Sequence, residues 1–261
     1  MANANRRSRE VRRTPADMSE PKSVLPRAGW HEVVAEMLGT AFLLAGVVGS
    51  GIMAERLAQG NMALALLANA LATGALLVAL IFTFGPTSGA HFNPAVTLTE
   101  AIFGRVSWKT VPVYVMAQIF GGLLGVAAAN RMFDLPLFVF SRHVRTGGGQ
   151  WMGEFVATVG LLLVIVSCAK SKPTAVPFAV GSYITAAYWF TSSTSFANPA
   201  VTIARCVTDT FAGIRPQDVT GFILAQMAGT AAAVLLCWFW SNTPQGEPTA
   251  DTGSQRSARP D

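Results

Sequence analysis

Apolar segments of membrane-spanning length dominate the sequence and restrict the folds open to it. A helix that crosses a bilayer needs roughly 20 mainly apolar residues. Six segments reach or approach that length: 31–53, 62–84, 109–130, 151–169, 177–192 and 218–240. Two further apolar segments, 93–103 and 198–207, are about half as long. Because lipid cannot hydrogen-bond to the backbone, such segments must be helical. The sequence predicts an all-α integral membrane protein with six transmembrane helices and two half-helices.

Charged residues are scarce, and they are enriched at the two ends of the chain. Only 13% of the residues are charged, against about a quarter in soluble domains. We interpret 1–29 and 241–261 as disordered cytoplasmic tails around a membrane domain at 30–240. The basic residues of the first tail are expected near anionic lipid, and no nucleic-acid partner is expected. Thirteen Lys and Arg lie on the side of both termini and six on the other, which places the termini in the cytoplasm.

The membrane domain contains two related halves, 31–130 and 151–240. The sequence His-Phe-Asn-Pro-Ala-Val-Thr at 91–97 is echoed by Phe-Ala-Asn-Pro-Ala-Val-Thr at 196–202. Each half holds three spans, an odd number, so the halves have opposite topology and form an inverted repeat. Such repeats place a site at the midplane where they meet. Two stripes of small residues are interpreted as helix packing: Ala117, Gly121, Gly125 and Ala129, and Gly221, Ala225, Gly229 and Ala233.

The repeated motifs Asn93-Pro94-Ala95 and Asn198-Pro199-Ala200 are suited to starting a half-helix. Asn is a favoured N-cap, and Pro fits the first helical position. With the amide oxygen used in capping, the Asn NH₂ remains free to donate. Two half-helices meeting at their positive N-terminal ends would form a centre that donates hydrogen bonds and disfavours cations. The irregular backbone expected at 87–92 and 193–197 is tolerated in a membrane where it lines a water-filled cavity.

These residues resemble the aquaporin and glycerol-facilitator family over nearly all of 31–240. Further residues carry the resemblance: Ala35-Glu36-x-x-Gly39-Thr40, Ser88-Gly89-Ala90-His91, and Ala117-Gln118-x-x-Gly121-Gly122. The resemblance implies a homotetramer with one pore per subunit, a pore-adjacent His91, and two structural glutamates, Glu36 and Glu154, that hold loop backbone. The alternative for buried glutamates is proton coupling.

The sequence departs from the family at Val201, where most members have an Arg that forms part of the selectivity filter. By the same resemblance, the other filter residues are Thr73, Ser195 and either Ala186 or Tyr188. Replacing a guanidinium by an isopropyl group removes up to five donors and a charge. The filter is therefore expected to be wider and less polar, and it resembles that of aquaporin-like channels of bacterial arsenic-resistance systems.

The function expected is passive transport of small uncharged solutes, such as arsenous acid, glycerol or urea, together with water across a bacterial inner membrane. The alternatives are a water-selective aquaporin and a non-conducting membrane protein of the same fold. An enzyme is not indicated, because the sequence shows no catalytic constellation, metal-ligand cluster or cofactor motif. Ion conduction would need charged pore rings that are not evident.

Arg205 leaves two interpretations open. It follows Val201 by four residues, so it lies one helical turn farther along roughly the same face. In the first, which we expect, the side chain snorkels to the interface or pairs with Asp209. In the second, it places a positive charge in the outer vestibule.

Overall fold

The computed structural model describes residues 28–241, so the two predicted tails lie almost entirely outside the described residues. The described chain is all-helical, as predicted. Its eight α-helices are α1 (Trp30–Leu57), α2 (Met62–Ser88), α3 (Pro94–Ile102), α4 (Val111–Met132), α5 (Gly148–Ser171), α6 (Val176–Phe190), α7 (Pro199–Arg205) and α8 (Pro216–Ser241). The short helices α3 and α7 begin at the two Asn-Pro-Ala motifs.

The long helices correspond to the six predicted spans. Five of them, α1, α2, α4, α5 and α8, are long and apolar enough to cross a membrane. The fifth predicted span is α6, which has 15 residues and follows a 3₁₀ turn at Pro173–Ala175. At about 1.5 Å per residue it is about 22 Å long, shorter than the roughly 30 Å apolar thickness of a bilayer, and it is not among the five helices of spanning length.

One boundary differs from the prediction. Helix α2 continues through Pro86 to Ser88, so residues 87 and 88, expected to be irregular, are helical. The helix ends at Gly89, which adopts a left-handed conformation with φ of 86° and donates its N–H to the Gly85 carbonyl at 3.0 Å. Glycine reaches this conformation without a steric penalty, which explains where the helix stops.

Equivalent helix pairs form each half of the molecule. Helix α1 packs on α4 and α2, while α5 packs on α8 and α6. The small-residue stripes lie at these interfaces, as interpreted from the sequence. A β-carbon at Gly121 would collide with the Met37 carbonyl oxygen, and one at Gly229 would lie 2.8 Å from that of Phe155. The absence of a side chain therefore lets the helix backbones approach closely.

Large apolar side chains cover the outside of the bundle. Exposed examples are Phe42, Met116, Phe120, Leu224 and Trp238. A soluble protein does not present so many of these groups to water. The outer surface is therefore suited to lipid, and the polar groups that remain are directed inward.

Candidate pore

Each half-helix is capped by the Asn of its motif. The Asn93 side-chain oxygen accepts from the Ala95 N–H at 2.9 Å. The Asn198 oxygen accepts from the N–H groups of Ala200 and Val201 at 3.0 and 3.2 Å. Both half-helices therefore begin with the cap geometry expected of Asn followed by Pro.

The two Asn amides also tie the halves together. The Asn93 Nδ2 donates to the Ala197 carbonyl at 2.8 Å, and the Asn198 Nδ2 donates to the Phe92 carbonyl at 2.8 Å. The sequence suggested that these NH₂ groups are free. In the structure each of them donates one hydrogen to the loop of the opposite half. An amide NH₂ has two donors, so one remains on each Asn, and both Asn residues line the central cavity.

The loops before the motifs have the same strained conformation. Ala90 and Phe92 precede Asn93 by three residues and one residue, with φ of 51° and 50°. Ser195 and Ala197 hold the same places before Asn198, with φ of 49° and 47°. A left-handed conformation costs a non-glycine residue of the order of 1–3 kcal/mol. Contacts from other elements must stabilise both loops.

Glu36 stabilises the first loop. Its carboxylate accepts from the N–H groups of His91 and Phe92 at 2.9 and 2.7 Å. It also accepts from the Ser88 hydroxyl at 2.7 Å and from the Gln118 amide at 2.7 Å. Four donors on one buried carboxylate compensate for its desolvation and hold the loop backbone in place.

Glu154 makes the equivalent contacts in the second half. Its carboxylate accepts from the N–H groups of Phe196 and Ala197, both at 2.8 Å, and from the Gln226 amide at 2.6 Å. Gln226 also donates to the Thr202 hydroxyl at 2.9 Å, which links the loop to α7. These bonds are those that the family resemblance implies for the two glutamates. Neither carboxylate lines the cavity, an arrangement that does not favour proton coupling.

A cavity of about 240 Å³ runs past the two Asn residues. More than half of the residues that line it are aliphatic, among them Leu43, Val47, Leu77, Ile81, Leu161, Ile165, Val180, Ile184 and Val201. The polar or charged side chains on it are Thr73, His91, Asn93, Glu100, Tyr188, Ser195, Asn198 and Arg205. An apolar wall with a few polar groups offers sparse hydrogen bonds along one path, which suits small neutral molecules better than ions.

The predicted filter residues lie on the cavity wall, with one exception. Thr73, Ser195 and Val201 line the cavity. Of the two possibilities on α6, Tyr188 is buried, lines the cavity and places its hydroxyl 3.3 Å from the Thr73 hydroxyl. Ala186 is exposed and does not line it. Of these two residues of α6, Tyr188 and not Ala186 therefore lies on the cavity wall.

Arg205 does not make the contact that we expected. It is only 2% exposed, lines the cavity, and has its guanidinium carbon 3.4 Å from the centroid of the Phe196 ring. Its Nε donates to the Ala212 carbonyl. Asp209 instead accepts from the Arg142 N–H at 2.9 Å. The predicted snorkelling or pairing with Asp209 is therefore wrong, because the segment after α7 folds over Arg205 and buries it.

A second buried Arg, Arg145, was missed by the sequence analysis, in which it is only one of the six basic residues counted on the side opposite the termini. Its guanidinium donates to the carbonyls of Gly213, Ser193 and Phe211 at 2.7, 3.2 and 3.3 Å. It also lies over the Phe196 ring, at 5.0 Å. Arg145 therefore joins three segments around the end of the cavity, contacts that no local sequence pattern announces.

The charge at this end affects a neighbouring imidazole. Burial, followed by the charges of Arg145 and Arg205, lowers the pKa of His143. His143 lies in the segment between α4 and α5, outside the membrane-spanning helices. Burial is the larger cause of the lowered pKa, and the charges of Arg145 and Arg205 add to it, partly offset by Asp209.

Glu100 was also missed. It lines the cavity and forms an ion pair with Arg105, with 2.8 Å between Oε1 and Nη1. Glu100 follows Asn93 by seven residues, as Arg205 follows Asn198. The repeat alignment could have identified both, since equivalent positions of an inverted repeat lie at equivalent distances from its centre.

The structure has two capped half-helices that meet at their N-termini around a narrow cavity, inside an inverted repeat of membrane helices. This arrangement defines a membrane channel for small solutes. The family model "Major intrinsic protein" matches residues 23–192. The chain therefore belongs to the major intrinsic protein family, and the resemblance noted in the sequence is confirmed.

Relatives cover most of the chain. It is 54% identical over 203 residues to the aquaglyceroporin AqpS of Rhizobium meliloti (strain 1021), which spans 78% of this chain and 87% of that protein. It is 31% identical over 207 residues to a probable NIP-type aquaporin of Nicotiana alata, with coverage of 76% and 75%. The fold is similar to the X-ray structure of the aquaglyceroporin from Plasmodium falciparum, with a TM-score of 0.65, 22% identity, and coverage of 82% and 96%.

Proposed function

We propose that the channel conducts small uncharged solutes larger than water, namely metalloid hydroxides such as arsenous acid, glycerol or urea, together with water. The proposed filter consists of Thr73, Tyr188, Ser195 and Val201. The observation that supports it most is the position of Val201, which lines the cavity immediately after the second Asn-Pro-Ala.

The Val201 side chain is smaller and less polar than that of an Arg. Its isopropyl group offers no hydrogen-bond donor and no charge, whereas a guanidinium at this position would offer up to five donors. The only side-chain hydrogen bond between filter residues of the described chain joins Tyr188 to Thr73. A filter of this composition sets a lower barrier for bulky neutral solutes than a filter with an Arg at position 201.

One of the two relatives supports solutes beyond water. AqpS, 54% identical to this chain, bears the name of an aquaglyceroporin. The NIP-type relative is named a probable aquaporin. The first similarity is the higher of the two and favours polyol-sized solutes, while the low identity of the Plasmodium structure restricts its support to the fold.

The setting proposed for this activity is a homotetramer in the bacterial inner membrane, with both termini in the cytoplasm. The exposed apolar side chains support insertion in lipid. The excess of Lys and Arg on the side of the termini supports the orientation. Two of the six basic residues on the other side, Arg145 and Arg205, are buried rather than free in loops. Fewer than six basic residues on that side therefore oppose the proposed orientation.

Stopped-flow light scattering on proteoliposomes tests the proposal. The variant Val201→Arg is expected to lower glycerol, urea and arsenous acid fluxes by about tenfold or more, corresponding to about 1.4 kcal/mol in the barrier. Water flux should change much less, because a water molecule fits beside a guanidinium. The matched control is Val144→Arg, which adds the same side chain at an exposed loop position.

Two outcomes contradict the proposal in different ways. A wild-type channel that passes water but none of the larger solutes is a water-selective aquaporin. A wild-type protein that passes nothing above empty vesicles is a non-conducting member of the family.

A further inference from the structure

Arg205 is a buried cation without a counter-ion. Among residues 28–241 it forms no ion pair, and the bond from its Nε–H to the Ala212 carbonyl is its one side-chain hydrogen bond. The terminal nitrogens Nη1 and Nη2 thus have four N–H donors without a partner in the described chain. An unpaired charge at membrane depth is costly and marks a functional site by default. Since Arg205 lines the cavity, solute and water are the partners available to it.

Neighbouring carboxylates are engaged elsewhere. Asp209 contacts Arg142, and Asp218 pairs with Arg215 at 2.8 Å. Glu154 accepts its hydrogen bonds from the second loop and from Gln226. No carboxylate of the described part of the chain therefore pairs directly with Arg205, and the Glu154 charge acts on it only at longer range.

Arg145 shows what a purely structural Arg in this region looks like. All three of its guanidinium nitrogens donate to protein groups, and it does not line the cavity. Arg205 lies against the same Phe196 ring, which orients its guanidinium plane, yet it keeps its terminal donors available. The two residues share an environment and differ in their access to solute.

Ser195 adds an independent observation at the same end of the cavity. Its side chain is 2% exposed, and its hydroxyl has no hydrogen-bond partner in the part of the chain that the structure describes. Ser195 lines the cavity beside Phe196 in sequence. A buried hydroxyl without a partner costs free energy unless a mobile molecule satisfies it.

We propose that Arg205 is a specificity-determining residue of the channel: with Ser195 it forms a hydrogen-bonding subsite that binds oxygen atoms of neutral solutes and rejects cations. The subsite lies one helical turn beyond Val201, about 10 Å from Asn198 along α7. The filter is thus widened at Val201, while a positive charge is retained one turn farther out. The inference rests on the proposed function, because it assigns a subsite to the same pore.

Urea and guanidinium are a matched pair of probes, since they have nearly the same size and planar shape and differ in charge. Uptake of both is measured in the same proteoliposomes under an inside-negative potassium diffusion potential, with water flux recorded as a reference. The variants are Arg205→Gln, which keeps a donor for Ala212, Arg205→Lys, which keeps the charge, and Ser195→Ala. Arg142→Gln is the control, because Arg142 is an exposed cation outside the cavity.

The wild type is expected to exclude guanidinium. Arg205→Gln should raise the ratio of guanidinium to urea uptake by about tenfold or more, because an unscreened charge at close range is worth several times the thermal energy. Arg205→Lys should keep the exclusion, and Arg142→Gln should not change it. Ser195→Ala should lower urea flux relative to water by about threefold, with no change in guanidinium exclusion.

The charge role is overturned if Arg205→Gln conducts water and still excludes guanidinium as the wild type does. If that variant does not insert, Arg205→Lys decides: guanidinium entry through it overturns the proposal, and retained exclusion supports it. An unchanged ratio of urea to water flux in Ser195→Ala overturns the proposal that the Ser195 hydroxyl binds solute. A wild type that passes no urea refutes the proposed function, and the charge role is then judged from guanidinium against water.

Discussion

The two halves of the pore are nearly identical at the centre and differ toward the ends. At the centre, each Asn caps its own half-helix and donates to the loop of the other half at 2.8 Å. Seven residues farther along, one half has Glu100 and the other has Arg205. Glu100 is neutralised by Arg105 at 2.8 Å, whereas Arg205 has no counter-ion among the described residues.

This difference separates two requirements of the fold. The symmetric contacts join the halves and hold the strained loops, so each half depends on the same bonds. The end positions are free of that requirement, and they can carry opposite charges without affecting how the halves meet. The symmetric bonds are therefore expected to govern stability, and the asymmetric ends to govern which solutes pass.

The largest expected effect comes from the buried glutamates. Glu36→Gln and Glu154→Gln each replace a carboxylate oxygen by an NH₂ that faces N–H donors, leaving buried donors unpaired. We expect a loss of about 3–5 kcal/mol in the free energy of unfolding for each. Glu36 accepts from four groups and Glu154 from three, so Glu36→Gln should cost more.

Thermal unfolding in detergent, followed by tryptophan fluorescence, measures this effect. The exposed Glu55→Gln serves as the control for loss of one carboxylate. Equal melting temperatures for Glu36→Gln and the control would show that these bonds do not hold the loop.

A smaller effect is expected at the two Asn residues. Asn93→Ala removes one cap bond and one cross-bond, whereas Asn198→Ala removes two cap bonds, the second a longer one at 3.2 Å, and one cross-bond. Each variant leaves a loop carbonyl unpaired. The expected loss is about 2–3 kcal/mol for each, and nearly the same for both. Asn61→Ala is a matched control, because Asn61 caps α2 through the Leu64 N–H and makes no cross-bond.

The difference between the pore variants and Asn61→Ala in the same unfolding measurement isolates the cross-bond. Cap loss alone costs about 1 kcal/mol, so the pore variants should melt at lower temperature. A clear inequality between Asn93→Ala and Asn198→Ala would break the symmetry that the hydrogen bonds describe.

The sequence predicted the symmetric part of the molecule well and the asymmetric part poorly. The spans, the half-helices and the two Asn caps follow from local patterns, since hydropathy and capping act within a few residues. Arg145 and Arg205 do not follow, because their burial depends on the segments at 133–147 and 206–215 folding over the end of the cavity. The contact of Tyr188 with Thr73 likewise joins α6 to α2 across the two halves, and sequence spacing alone left Ala186 equally possible.

The smallest effect is expected at Glu100, and it tests whether the two ends differ in function as well as in sequence. Arg105 already compensates the charge of Glu100, and the pair is partly exposed, with 14% of the Glu100 side chain and 41% of the Arg105 side chain accessible. Partly exposed pairs of this kind contribute little. Glu100→Gln should therefore change the ratio of guanidinium to urea uptake by less than about twofold.

Removing the charge of Arg105 in place of that of Glu100 tests the same end of the cavity. Arg105→Gln leaves the Glu100 carboxylate unpaired in the cavity wall, so guanidinium should be attracted to the entrance but still stopped at Arg205. Uptake by the double variant Arg105→Gln with Arg205→Gln should then exceed that of Arg205→Gln alone, because neither of these two guanidinium charges remains to oppose the attraction. If Glu100→Gln alone alters the ratio as strongly as Arg205→Gln does, selection is shared by both ends. The barrier to cations would then belong to the pore as a whole, and not to the Asn198 half.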